Sequence, residues 1–303
     1  MQVRKLPVSQ GLAWFRAAID LGARNPKAVF GAALLFIAVL YLLAAVLGAV
    51  AAALTGDGKA APNGTLFMAL FVPLFIAMMV LMPILIGGLM HVIREAEAGR
   101  PVRARDLFAP FRTGRLKGLA ALGALQIVLA ILGGLLMIAV AGPDYWAQYM
   151  DMVRGAMGGA LPVVPQPQHP FVLAVLQLAY NYFTYAIMLL AVPLVLFSGL
   201  SLMDAVRGSL RASVQNIGAN LLAALLFVAG VLVAAIAVTL LALLVNFIGG
   251  LVHPIVGSVL ALVIFLGFAA VLLVVLAGGA YLAWRDTFDT PQARTPGFTG
   301  IEA

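Results

Sequence analysis

Cysteine is absent from this 303-residue chain, and charge is scarce. Without cysteine there is no disulfide framework, no thiolate metal site and no cysteine nucleophile. The three histidines, His91, His169 and His253, stand far apart, and none has the HxxxH or HExxH spacing that a zinc site uses. Charged residues make up 10% of the chain and hydrophobic ones 64%, against roughly 25% and 45–50% in soluble domains. That balance excludes a water-soluble fold.

Catalytic signatures are also missing. No GxSxG elbow, Walker A loop, HExxH or glycine-rich dinucleotide fingerprint stands in a strand–turn–helix context, so no catalytic residue, cofactor or metal ligand is assigned and an enzyme is not expected. Paired glycines such as Gly87-Gly88, Gly133-Gly134 and Gly278-Gly279 read as points of helix packing or bending. The formal charge of +7 does not indicate nucleic acid, because the basic residues lack interleaved aromatics and a soluble domain to present them. In a membrane protein such an excess marks loops facing anionic lipid.

What the chain does have is long apolar runs, at residues 28–54, 66–93, 116–141, 171–199, 219–247 and 255–282. Each exceeds the roughly 20 residues a helix needs to cross about 30 Å of hydrocarbon. The fold class is all-α, a polytopic transmembrane bundle forming a single membrane domain. Residues 1–27 are too long and too charged for a signal peptide, and the first run reads as a retained anchor. Residues 283–303 read as a tail.

Basic residues set the expected orientation. With a cytoplasmic N-terminus, only Lys59 and Arg154 of the 18 Lys and Arg fall outside, a strong positive-inside bias. Both termini are then cytoplasmic in a bacterial inner membrane. The 57–64 and 249–254 connections are short. Residues 142–170 form a longer outside loop whose middle, 145–157, is either a short helix on the outer leaflet or an ordered loop; Tyr145, Trp146 and Tyr149 suit the headgroup level.

Each odd-numbered span follows an amphipathic segment, which divides the chain into three interfacial segments, each leading into a helical hairpin. In the first, Leu12, Phe15 and Ile19 share one helical face and Arg16, Asp20 and Arg24 another, before Asn25-Pro26 turns the chain into the span. The second runs through Asp106, Leu107, Phe108 and Phe111 to Arg112, Arg115 and Lys117, with Pro110 limiting its regularity. In the third, Ser201 and Asp204 have capping-box spacing, Met203, Val206, Leu210, Val214 and Ile217 form a stripe, and Arg207 and Arg211 face water. Asn216 takes the place of Asn25. Such helices either anchor the chain or form a collar for anionic lipid or a protein partner, with Arg16, Arg24, Arg112, Arg115, Arg207 and Arg211 as the contact residues.

No acidic or basic residue falls mid-membrane, which weakens an ion-coupled transporter. The best intramembrane polar cluster is Gln177, Asn181 and Thr184 on one face of the fourth span, among Tyr180, Tyr182 and Tyr185. It is expected to bond across to another helix, with Gln126, Asn220, Thr239 and Asn246 as candidates, or to line a ligand cavity. Ala44, Gly48 and Ala52 form a small-residue ridge suited to close packing within the chain or between copies.

Val3-Arg4-Lys5, the Trp14-Phe15 segment ending at Asn25-Pro26, Gly99-Arg100-Pro101-Val102, Asp106-Leu107-Phe108 and Phe111-Arg112 together resemble an uncharacterised proteobacterial family of six-span inner-membrane proteins. The resemblance covers nearly the whole chain. More loosely, the plan is similar to the membrane domains attached to some glycerophosphodiester phosphodiesterases. Their catalytic domain has no counterpart here, so the resemblance implies a fold and no hydrolase activity. The expected function is a non-catalytic membrane protein acting through membrane lipids, a membrane-protein partner or its own copies. The alternative is a permease or exporter for an uncharged or amphipathic small molecule, with its path near Gln177, Asn181 and Thr184.

Overall fold

The computed structural model describes residues 2–55, 64–157, 161 and 163–288, with the side chains of residues 51, 54–55, 64–68 and 156–157 left aside. Ten α-helices occur among the described residues, and no strand. They are α1 (Gln10–Asp20), α2 (Pro26–Thr55), α3 (Gly64–Glu97), α4 (Ala109–Arg112), α5 (Leu116–Ala141) and α6 (Tyr145–Met157), then α7 (Pro170–Phe197), α8 (Leu202–Gln215), α9 (Ile217–Val252) and α10 (Pro254–Phe288). A 3-10 turn at Ala104–Phe108 precedes α4.

Six of these helices, α2, α3, α5, α7, α9 and α10, are long and apolar enough to cross a bilayer. The protein is a multi-pass, all-α integral membrane protein. With 36 residues, α9 extends about 54 Å at 1.5 Å per residue, well beyond the hydrocarbon thickness. In a bilayer a surplus of this kind is taken up by tilt or by ends that emerge into the interface.

Several helices outrun their apolar sequence runs. α3 continues past residue 93 through Arg94 and Glu95 to Glu97, and α10 continues past residue 282 to Phe288. The first residues of the expected tail are therefore helical. Trp284, Thr287 and Phe288 are buried there, so side-chain packing carries the helix on after the polar Arg285 and Asp286 interrupt the apolar run. Of the two readings of residues 145–157, short helix or ordered loop, the helix is the one present, as α6. Residues 57–63 with Lys59, and the tail beyond 288 with Arg294, lie outside the described residues.

Contacts divide the chain into two compact units, and the cuts fall within α2, α3, α8 and the 3-10 turn. The first unit holds residues 2–35, 89–106 and 211–288. Its frame is the α9–α10 hairpin with α1 laid against both helices. The hairpin closes tightly at His253-Pro254: a Cβ on Gly249 would lie 2.8 Å from the Cα of Gly257, so only glycine lets these two backbones meet. His253 Nδ1 then accepts from the backbone N–H of Ile255 at 3.2 Å, satisfying one of the free donors at the start of α10.

The second unit holds residues 36–88 and 107–210. Here α5 packs on α7. A Cβ on Gly88 would collide with the Leu107 carbonyl, and one on Gly123 would lie 2.7 Å from the Met79 carbonyl oxygen. Glycine at these positions lets backbone pass against backbone, the packing role expected for Gly88 within its pair. The Ala44–Gly48 ridge of α2 behaves differently. Gly48 has nothing within 4 Å of where a Cβ would stand, and Ala44 is exposed, so at these two positions the ridge meets no other helix among the described residues.

Candidate functional site

In the first unit the N-terminal segment and α1 are tied to the start of α9 and the end of α10. Asn216, 3% exposed and just ahead of α9, accepts the Leu6 N–H on Oδ1 at 2.8 Å and donates Nδ2 to the Arg4 carbonyl at 2.9 Å. The Arg4 N–H donates in turn to the Thr287 carbonyl at 3.0 Å. One buried amide thus substitutes for a strand partner and pins the N-terminal segment between the start of α9 and the end of α10. The Asp286 carboxylate gathers three donors: Gln10 Nε2 at 2.9 Å, Trp14 Nε1 at 3.0 Å and Arg285 Nε at 2.9 Å.

α1 meets the hairpin through Gly11, Trp14 and Ala18, all buried. A Cβ on Gly11 would strike the Ala219 carbonyl, and Phe15 packs edge-on against Phe227 with ring centroids 5.3 Å apart. Ile19 points outward at 60% exposure. The inward face is made of small residues and one indole rather than the Leu12–Phe15–Ile19 face alone.

Asn25, which the sequence pairs with Asn216, has a different task. Its Oδ1 accepts the Ala28 N–H at 3.2 Å, an N-cap for α2. Arg24 donates to the Glu97 carbonyl and so covers the end of α3. Arg100 forms a two-pronged ion pair with Glu95, and that hydrogen bond pushes the guanidinium pKa above its ordinary value. Asp106 accepts the Arg103 N–H at 2.9 Å and sets the 3-10 turn.

α8 is the most informative segment. Ser201 caps it, accepting the Asp204 N–H at 3.2 Å and donating to the Asp204 carboxylate at 2.6 Å. Its buried face is Ala205, Ser209, Ala212 and Ser213, small residues spaced by helical turns. Met203, Leu210 and Val214 are 57%, 43% and 55% exposed. Arg207 and Arg211 lie beside that outward stripe and are exposed. In water such a stripe would be a liability, whereas an outward apolar stripe flanked by arginines is the pattern of a helix that lies at a membrane surface.

Of the six arginines expected at the interface, Arg16, Arg207 and Arg211 are exposed and pair with no acid among the described residues. Arg24 is engaged at the end of α3. Arg112 is exposed at the end of α4. Arg115 lies over Gly199, where a Cβ would stand 2.8 Å from its guanidinium nitrogen. Gly199 has φ +66, and the adjacent Leu200 N–H closes onto the Leu194 carbonyl at 3.3 Å. Arg115 therefore stands at the C-terminal end of α7, where a cation meets the negative end of the helix dipole.

On α7, Gln177 Nε2 donates to Asn181 Oδ1 at 3.1 Å. The amides pair along their own helix. At this level the bond from α7 to α5 comes instead from Tyr180, whose hydroxyl donates to the Leu129 carbonyl at 2.8 Å while its ring fills the space over Gly133. Thr184 is half-buried one turn further along. The Gly133 contact was the available signal for Tyr180, since a glycine within an apolar helix makes room for a ring on its neighbour.

Also in the second unit, Trp146 and Tyr149 of α6 stack with centroids 5.9 Å apart. A cleft of about 410 Å³ lies between α6 and the segment around Val163, Val164 and Gln166. Gln148 Oε1 accepts the Gln166 N–H across it at 3.1 Å. No group of three or more metal-binding side chains occurs among the described residues.

No family model matches the chain, and neither the curated proteins nor the solved structures contain a match.

Proposed function

We infer that this protein is a non-catalytic component of the bacterial inner membrane that holds anionic lipid headgroups along a basic rim. In this reading the rim and both termini face the cytoplasm, where the positive-inside bias of the sequence puts them. The observation that carries the reading is the two-faced build of α8: small residues inward, Met203, Leu210 and Val214 outward, and Arg207 and Arg211 alongside. Arg16 of α1 supplies a third exposed cation.

Each basic side chain at an anionic surface contributes about 1 kcal/mol. Three together favour anionic over neutral lipid by roughly 3 kcal/mol, on the order of a hundredfold. The test is thermal unfolding in lipid discs as the anionic fraction rises. Tm climbs for the parent chain and stays flat for a variant carrying Arg16→Gln, Arg207→Gln and Arg211→Gln. An equal rise in both removes the rim from lipid binding.

The amide pair on α7 favours one second reading, a permease for an uncharged or amphipathic solute. Solute flux into proteoliposomes that disappears with Asn181→Leu is its signature.

A further inference from the structure

Gln177, Asn181 and Tyr185 stand on successive turns of α7, about 10, 16 and 22 Å along the helix from Pro170 at 1.5 Å per residue. In a helix of 28 residues this places Asn181 and Tyr185 near the middle of the span. Gln177 is exposed, Asn181 half-buried and Tyr185 64% exposed. The Gln177–Asn181 bond uses one donor and one acceptor. Among the described residues the Gln177 carbonyl, the Asn181 amino group and the Tyr185 hydroxyl have no hydrogen-bond partner. In hydrocarbon each such group costs several kcal/mol. A ladder of this kind on an outward face needs a polar cover.

We propose that the cover is a second copy of this chain, with α7 against α7 in a twofold dimer. Two copies inserted alike in one membrane are related by an axis along the membrane normal, so each residue faces its own counterpart at the same depth. Primary amides suit that arrangement because each offers both donor and acceptor, and two of them bond reciprocally. A phenol also offers a donor and an acceptor, and two of them share one hydrogen bond. A different partner would have to carry its own ladder at matching depths, whereas a second copy has it by construction. Ala174, exposed one turn before Gln177, is small enough to let the two backbones approach.

The absence of cysteine makes the test direct, since Ala174→Cys introduces the sole thiol. A disulfide forms only when the two Cα atoms come within about 7 Å. The full chain in liposomes, exposed to copper phenanthroline, is expected to give a cross-linked dimer with Ala174→Cys and none with Leu240→Cys, a comparably exposed position on α9. Adding Gln177→Leu and Asn181→Leu is expected to weaken dimerisation about tenfold, read by dilution of labelled chain in liposomes. Both changes place apolar side chains toward lipid, and thermal unfolding checks that the fold is retained. A monomeric Ala174→Cys chain, equal cross-linking at Leu240→Cys, or a dimer unaffected by the leucine changes would overturn the proposal. So would a monomer whose solute flux depends on Asn181, which assigns the ladder to a solute path.

Discussion

The indole of Trp14 donates to the Asp286 carboxylate at 3.0 Å, joining α1 to the end of α10 across 272 residues of sequence. Trp14 is 2% exposed, so this bond sits under the amphipathic helix and fixes where it lies. Asp286→Ala leaves both the indole and the Gln10 amide without their acceptor, at a cost of about 1–3 kcal/mol for the buried indole. The expected readouts are a lower Tm and a red shift in tryptophan emission; unchanged emission would mean that α1 is held by packing alone.

Asn25 and Asn216 occupy matching places in the repeated plan but do different work. Asn25→Ala removes a helix cap and costs about 1 kcal/mol. Asn216→Ala frees Leu6 and Arg4 together, so hydrogen exchange at residues 4–6 should accelerate strongly with the rest of the chain unchanged. Equal protection of this segment in the two variants would contradict the pinning role.

Glycines separate by environment. Gly88→Ala drives a methyl into the Leu107 carbonyl and should destabilise the protein by several kcal/mol or prevent its accumulation. Gly48→Ala meets nothing within 4 Å and should be neutral or slightly stabilising, because alanine is the better helix former. Thermal unfolding of the two purified variants checks both outcomes.

Topology follows from the same absence of cysteine that excludes disulfides. Single cysteines replacing Arg105 and Arg154 should react with an impermeant reagent from opposite sides of the membrane: in intact cells Arg154→Cys is labelled and Arg105→Cys is not. The reverse pattern inverts the proposed orientation.

The sequence made the six spans legible because hydrocarbon demands long uninterrupted apolar runs, and α5 begins and ends where its run does. Helix ends were less legible. Arg94 and Glu95 in α3, or Arg285 and Asp286 in α10, break the apolar run without breaking the backbone ladder. The inward face of α8 was hidden for a different reason. Ala205, Ser209, Ala212 and Ser213 score as unremarkable by hydrophobicity, yet in a membrane protein the small residues pack inward while large apolar ones turn to lipid. Partner choice was the least accessible. The amides of Gln177 and Asn181 were expected to reach a neighbouring helix; they bond to each other, and the inter-helix bond belongs to Tyr180. Depth and face follow from spacing, whereas the identity of the opposing backbone carbonyl depends on how two helices cross.

The basic rim is tested most directly by counting the lipids that stay on the protein. The parent chain and the Arg16→Gln, Arg207→Gln, Arg211→Gln variant would be extracted in native lipid discs and analysed by mass spectrometry of what remains bound. Anionic lipid enriched over bulk on the parent and reduced to the bulk ratio on the variant is the predicted result. Bulk lipid composition on both, or a stoichiometric protein retained in place of lipid, would contradict the account.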